Sequence, residues 1–480
     1  MEENNGTPDS SSATEESKGI PNPITELIES FRALKDAPKG FWYCNYAYWL
    51  DGISYFGMLT LLAMFLHDVV GMTDENGHKI VSVYMGMITG FMLIFGPISD
   101  RLGVRKSLII SATLYIIGRA AIPLAPEFLP AGSVALVVVL VIALMIAAAG
   151  NGFMQPSVYA GVRKFSDKKT AAMGYGLLYA GMNLGIVFIG LVSSRIRTGL
   201  HIEGVIDLPG FGINGVFWFC TLINVIMLLG LIFFFTPRVE RESVSGGEDN
   251  AAGSETLQGQ PEERRFLESP LGFLVDWYRQ SPVSNARFMF FIFALMPVQT
   301  LFAYQFLVMP QFVTRAFSTA VANNMETIVN VTNPLIIVLG VPIITAMTRK
   351  SSVYRMMFIG SLVSALPTFL FLFPPNFYLL MTYLLLFSLG EAMWQPRFLQ
   401  FAAELAPEGK TGAYVAWANL PWFMIKFIAG WYTGRMMDVY CPADGPLRTE
   451  SMWLIYGLVA MLSPVLLVLG YKWVKRGLED

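Results

Sequence analysis

Stretches of about twenty or more mostly apolar residues follow one another from residue 41 to residue 473. A helix needs about 20 such residues to cross the hydrocarbon core of a bilayer. Twelve candidate spans are legible, at 41–66, 81–100, 104–124, 131–158, 171–194, 213–235, 287–311, 327–347, 353–373, 377–400, 411–435 and 451–473. Of the 480 residues, 54% are apolar and 14% are charged. A soluble domain carries roughly 25% charged residues, so this chain cannot cover a water-facing surface of its size. A soluble enzyme, a disordered chain and a secreted disulfide scaffold are excluded, and neither enzymatic activity nor a cofactor is expected. The formal net charge of −2 leaves no basic excess to hold nucleic acid. Cys44, Cys220 and Cys441 lie far apart, and His67, His78 and His201 are scattered, so no metal-ligand spacing is present. The polar, acidic N-terminus lacks the basic-then-apolar layout of a signal peptide.

Five segments follow. Residues 1–40 form an N-terminal segment, with an amphipathic stretch at 23–35, and 41–236 form a first six-helix bundle. Residues 237–286 connect it to a second bundle at 287–474, and 475–480 form a tail. The connector opens on a Gly-, Ser- and Glu-rich run (237–265) that reads as flexible linker. It closes on an amphipathic run suited to the membrane surface. Arg101, Arg105, Lys106, Arg163, Lys164, Lys168, Lys169, Arg349, Lys350, Arg355 and Lys410 all fall in loops on one side. That side is expected to be cytoplasmic. With an even number of spans, both termini and the connector lie there too, and a bacterial inner membrane fits best.

The two halves echo each other. Gly150-Asn-Gly-Phe-Met-Gln155-Pro156 in span 4 matches Gly390-Glu-Ala-Met-Trp-Gln395-Pro396 in span 10, and Gly96-Pro97-Ile98 matches Val341-Pro342-Ile343. Parallel six-helix repeats are one way secondary transporters are built. The turn after span 2 reads Gly96-Pro-Ile-Ser-Asp100-Arg101-Leu-Gly103-Val-Arg105-Lys106. Gly103 permits a sharp turn. Asp100 at a helix end is placed to bond a neighbouring basic residue. This string resembles the signature loop of the major facilitator superfamily, where the loop is a gate latch. The resemblance implies an all-α membrane fold of twelve helices in two six-helix bundles.

A narrower resemblance, covering most of the chain, is to the proton-coupled oligopeptide transporter family. It rests on Ser54-Tyr55-Phe56-Gly57, the span 4 string, Tyr179-Ala-Gly-Met-Asn183-Leu-Gly185, Asn333-Pro334 through Pro342, and Gly390-Glu391 through Pro396 with Ala406-Pro407. The departures are specific. Where the family carries E-x-x-E-R in helix 1, this chain reads Tyr48-Trp49-Leu50-Asp51-Gly52, and the family's helix 4 lysine is Gln155. Both cations that hold a peptide carboxylate in the family are absent, so the chain resembles a divergent relative whose solute need not be a peptide. The resemblance also implies that the chain works as a monomer.

Ionisable groups inside a membrane usually face a cavity and a partner. Glu391, in a span expected to be broken at Gly390 and Pro396, is the first candidate for proton coupling. Asp51 is either a second titrating acid or the partner of Arg119. Arg119 itself is expected to snorkel from the end of span 3. Lys426 either holds a solute anion or neutralises Glu391. Arg397 and Glu404 read as a gate or interface pair. Tyr48, Tyr55, Gln155, Tyr179, Asn183, Gln299, Tyr304, Trp394, Gln395, Asn419 and Trp422 supply rings and amides for lining a solute cavity. The reading is a transporter moving a small polar organic solute, a di- or tripeptide among the options, by proton-coupled symport, with protons and lipid as its other partners. The alternatives are an uncoupled facilitator or exporter, and a non-transporting sensor or assembly protein on a transporter fold.

Overall fold

The computed structural model describes residues 37–166, 168–202, 206–244, 282–348, 351–404, 414 and 417–479. The amphipathic stretch at 23–35, most of the connector and the tail's last residue lie outside them. The first half consists of α1 (Lys39–Asp68), α2 (Asp74–Leu102), α3 (Val104–Phe128), α4 (Val134–Phe165), α5 (Lys168–Thr198) and α6 (Gly212–Phe233). A short antiparallel hairpin of β1 (Gly199–Ile202) and β2 (Ile206–Pro209) links α5 to α6. The connector is not wholly linker: α7 (Pro237–Val244) opens it and docks on α1, where Ser243 Oγ accepts from the Gly40 amide at 2.9 Å.

The second half opens with a span in three pieces, α8 (Ala286–Ala294), α9 (Met296–Leu307) and α10 (Met309–Ala316). Pro297 and Pro310 stand in the first turns of the second and third pieces, where a missing amide hydrogen costs nothing. Short α11 (Thr319–Asn323) leads to α12 (Met325–Met347), α13 (Val353–Ala365, extended by a 3-10 turn at Leu366–Leu372), α14 (Phe377–Glu404), α15 (Leu420–Tyr440) and α16 (Thr449–Glu479). Among the described residues eleven helices are long and apolar enough to cross a membrane. The twelfth expected span corresponds to α15, which carries Lys426, Arg435 and Asp438 and is less apolar than the rest.

Small polar residues start many of these helices. Thr73, Ser133, Asn285 and Ser352 each accept a hydrogen bond from an amide in the first turn that follows, satisfying donors that a helix leaves open. Gly103 turns the chain between α2 and α3 at φ +84°, a region that favours glycine.

The halves repeat the same packing. α3 lies on α4 as α13 lies on α14, and α2 lies on α4 as α12 lies on α14. Glycines carry the closest crossings. A Cβ on Gly118 would stand 2.6 Å from the Ala143 carbonyl oxygen on α4, and one on Gly360 would stand 2.9 Å from the Gly390 carbonyl oxygen on α14. α14 is one continuous helix, not the broken span expected from Gly390 and Pro396. Gly390 instead lets α13 approach: a Cβ there would meet Ser364 N at 2.5 Å. Small residues at close crossings are a means of packing helices where lipid removes the hydrophobic drive.

Between the halves, α2 packs along α15 and α5 along α12. Gly430 and Gly434 of α15 touch the first turns of α2, and Gly190 of α5 touches Glu326 and Asn330 of α12. Toward the other end these helices part. Gly90 of α2 and Gly176 and Gly181 of α5 have no other group near their Cβ positions, and Gly340 of α12 meets only its own helix. The halves therefore meet at the end holding Asp74 and Glu326 and separate toward the end holding the basic turn Arg101–Lys106.

Candidate functional site

The joined end is held by two polar latches. In the first, Arg315 of α10 donates to both oxygens of Asp74 at 2.5 and 3.0 Å, and Gln311 Nε2 donates to Asp74 Oδ1 at 2.6 Å. The Gln311 carbonyl is thereby left facing His78 Nε2 at 2.7 Å, while His78 Nδ1 lies 2.9 Å from Thr433 Oγ1. A neutral ring donating from Nε2 and accepting at Nδ1 satisfies every member of this chain. Asp438 of α15 accepts from the Asp74 and Glu75 amides at 3.1 and 3.0 Å, placing an acid on the N-terminus of α2. In the second latch, Arg197 of α5 holds fully buried Glu326 of α12 through two nitrogens. Arg195 donates to Asn324 at 2.9 Å, Ser194 bonds Thr327 at 2.7 Å, and Asn330 donates to Thr60 at 3.0 Å. None of these residues was singled out as a site from the sequence. The readable signal was Glu326 at the start of the span 327–347; Asp74 lay seven residues before the expected start at 81, and the structure extends that helix back to it.

Behind the latches, one wall of the interior is aromatic. The Tyr48 hydroxyl donates to Gln155 Oε1 at 3.3 Å, and its ring lies edge-on to Tyr159 at 6.1 Å. Tyr159 stacks on Tyr175 at 5.8 Å, and Tyr159 and Tyr179 are both about two-fifths exposed. Tyr159 and Tyr175 went unselected, although each stands one helical turn from a selected residue, Gln155 and Tyr179. Asn183 is buried and donates to the Tyr179 carbonyl of its own helix. Glu391 of α14 is 3% exposed and its Oε2 accepts from Asn333 Nδ2 of α12 at 2.7 Å. Asn333 also donates to Ser388 at 3.0 Å. The Glu391 carboxylate lies within electrostatic reach of Tyr179 on the other half. Among the described residues no cation pairs with it, so Lys426 does not neutralise it. A small cavity of about 40 Å³ beside Asn333 is lined by Gln305 and Asn330.

Other candidates sit elsewhere. Asp51 is enclosed in the first bundle, where Arg119 Nη2 donates to it at 3.3 Å. Arg119 does not snorkel: it is fully buried, donates to Ser54 and, at 3.1 Å, to Asn224, and stands 3.8 Å over the Tyr115 ring. Tyr55 is half-buried against Phe56 in the same bundle. Trp394 and Gln299 are fully buried; Trp394 packs on Phe302 and Phe398 in the second bundle's core. Tyr304 bonds Tyr432 at 2.8 Å and lines a lateral crevice of about 910 Å³ between α9, α15 and α16. Trp422 meets Phe302 edge-on, Gln395 is half-buried, and Asn419 is exposed just before α15. Arg397 donates to Thr348 at 3.4 Å, and the Glu404 side chain lies outside the described residues. In the basic turn, Arg105 donates to the Phe235 carbonyl and to Glu240 of α7. Asp100, expected to bond a basic neighbour, is exposed and makes no such bond among the described residues, as are Arg101 and Lys106 exposed. Gly96 has only Pro156 nearby, at 3.9 Å.

Comparison with known proteins agrees with this geometry. The structure resembles that of a peptide transporter POT in complex with sulfate (17% identity, 92% of this chain, 96% of that one, TM-score 0.68). It also resembles a POT family transporter in complex with 5-aminolevulinic acid (16%, 91%, 97%, TM-score 0.65) and the tetrameric PepTSo2 (17%, 91%, 98%, TM-score 0.63). No curated protein sequence matches. At these identities the likeness speaks for the fold. The sequence itself matches the model of the Major Facilitator Superfamily over residues 44–430. With that span matched and the two-bundle architecture in place, this multi-pass membrane protein belongs to the Major Facilitator Superfamily.

Proposed function

We propose that the protein is a secondary active transporter that moves a small polar organic solute by alternating access, in symport with protons. The observation that carries this reading is Glu391. Its carboxyl is buried with one amide donor and, among the described residues, no cation. Such a group binds and releases a proton as its surroundings open to either side. The two latches and the parted opposite end supply the opening. By the positive-inside rule the basic turns face the cytoplasm, so the parted end opens inward and the latched end faces outward. Di- and tripeptides are among the solutes to test, because the structural neighbours include peptide transporters.

The test is uptake into proteoliposomes under an imposed inward proton gradient. Glu391→Gln is expected to lose gradient-driven accumulation while keeping solute exchange at equal pH. Accumulation at the wild-type level in Glu391→Gln overturns proton coupling at this residue. The second reading, an uncoupled facilitator, draws on the enclosure of Asp51 with Arg119, which leaves Glu391, among the described residues, as the one interior acid held by an amide and not by a cation. Wild-type uptake indifferent to the gradient would establish it.

A further inference from the structure

We propose that the solute carries an anionic group, most simply a carboxylate, that docks on Lys426. This rests on the transport reading above and names the chemistry of its solute.

The placement of Lys426 follows from its neighbours on α15. Phe427 packs against Gly86 of α2, and Gly430 abuts His78 and Ser82. Trp422, one turn earlier, meets Phe302 of α9. Lys426 lies in the Trp422–Gly430 stripe, on the side of α15 turned toward the first half and about two turns inside Thr433 of the first latch. Ile425, Ile428, Ala429 and Tyr432 line the lateral crevice instead, so the lysine does not belong to the lipid side. Its ammonium lies 5.9 Å from the Trp422 ring centroid.

A cation at this depth is costly without an anion, and the acids around it are committed elsewhere. Asp51 serves Arg119, Asp74 serves Arg315, and Glu326 serves Arg197. Asp438 caps α2, and Glu391 is held by Asn333. Among the described residues no carboxylate lies within ion-pair distance of Lys426. The missing anion is therefore one that arrives. An ammonium is a compact point charge with three rotatable donors, suited to a single carboxylate or phosphate, and the Trp422 and Phe302 rings give the adjoining apolar part of a solute a surface to lie on.

The experiment is a thermal-shift titration of the full-length protein in detergent with matched pairs: alanyl-alanine and its C-terminal amide, glutarate and its diamide, glucose 6-phosphate and glucose. A ligand of the folded state raises the melting temperature by mass action. At least one anionic member is expected to act at a concentration on the order of tenfold or more below its neutral counterpart, as befits a charge-assisted hydrogen bond. Lys426→Gln and Lys426→Met are each expected to erase that difference, and Lys426→Arg to keep most of it. Melting without additives shows which variants fold. The inference is overturned if no anion outperforms its neutral partner on the wild type, or if the difference survives in a folded neutral variant. A phosphate-only preference narrows the anion to that group. Counterflow of the stabilising probe is read separately: a binder that the wild type does not move counts against transport and leaves the docking of its anion at Lys426 intact.

Discussion

The Arg119 guanidinium organises three helices of the first half. It donates to Asp51 and Ser54 of α1 and to Asn224 of α6, from a position on α3 above the Tyr115 ring. Removing one partner of a buried ion pair leaves an uncompensated charge, at a cost of about 3–5 kcal/mol. Asp51→Asn is therefore expected to lower the melting temperature strongly, and Asp51→Asn with Arg119→Met to recover most of the loss. If Asp51→Asn melted like the wild type but lost gradient-driven uptake, Asp51 would be a titrating acid after all. The Asp51–Arg119 pair was open to sequence reasoning as one of two options. The burial of Arg119 was not. The span was expected to end at residue 124, whereas α3 continues to Phe128, which sets Arg119 about 14 Å inside its helix end, beyond easy snorkelling. Trp394, Gln299 and Tyr304 were misplaced for a related reason. Hydropathy along a uniformly apolar helix carries no face, so the side that meets the cavity is fixed by neighbours that a single sequence does not show.

At the scale of elements, the repeat was legible because its glycines serve packing in both halves. Gly150 and Gly390, the pair on which the repeat was read, each meet the helix before, at the Ser111 carbonyl oxygen and at Ser364 N. What the sequence concealed was the purpose of Gly390, since a glycine near a proline reads equally as a break or as a crossing. The distinction is measurable. Gly390→Ala places a methyl 2.5 Å from Ser364 N and 2.6 Å from the Gly360 carbonyl oxygen. Backbone must move, and a loss of about 1–3 kcal/mol is expected. Gly96→Ala, with one proline carbon at 3.9 Å, is expected to be nearly neutral in stability, although Gly96 belongs to the gate-loop string. Gly103→Ala falls between: its φ of +84° costs an L residue about 1 kcal/mol. Melting temperatures in one detergent rank the three variants, and a Gly390→Ala protein as stable as Gly96→Ala would show that α13 and α14 do not need their close contact.

For the whole molecule, the alternating-access reading proposed above makes the two latches the elements that set which side is open. They are stacked at one end, and each crosses from one half to the other, so they act together against the same motion. The polar bonds of one latch, several of them to charged groups, are worth about 1.5–3 kcal/mol per charged bond. Arg197 makes two such bonds to Glu326, and losing both shifts a two-state equilibrium by roughly a hundred- to ten-thousandfold, reaching the 10⁴ that converts 1:99 into 99:1 only at its upper limit. Arg197→Gln, which strands buried Glu326, is thus expected to create a mixture rather than a complete switch. Spin labels at Glu127 and Ala320, exposed on the two halves toward the latched end, report one side. Labels at Lys106 and Met347 report the other. The native Cys44, Cys220 and Cys441 are buried, so labelling is confined to introduced sites. In Arg197→Gln the first pair should gain a longer distance and the second a shorter one, in the same proportion. Exchanging the charges, with Arg197→Glu and Glu326→Arg together, should return both distributions toward the wild type. Arg197→Gln with Arg315→Gln removes two charged bonds from each latch, and should carry most molecules to the outward-open form. Unchanged distributions in that double variant would mean that the glycine crossings of α2 with α15 and α5 with α12, and not the latches, hold the outer end shut.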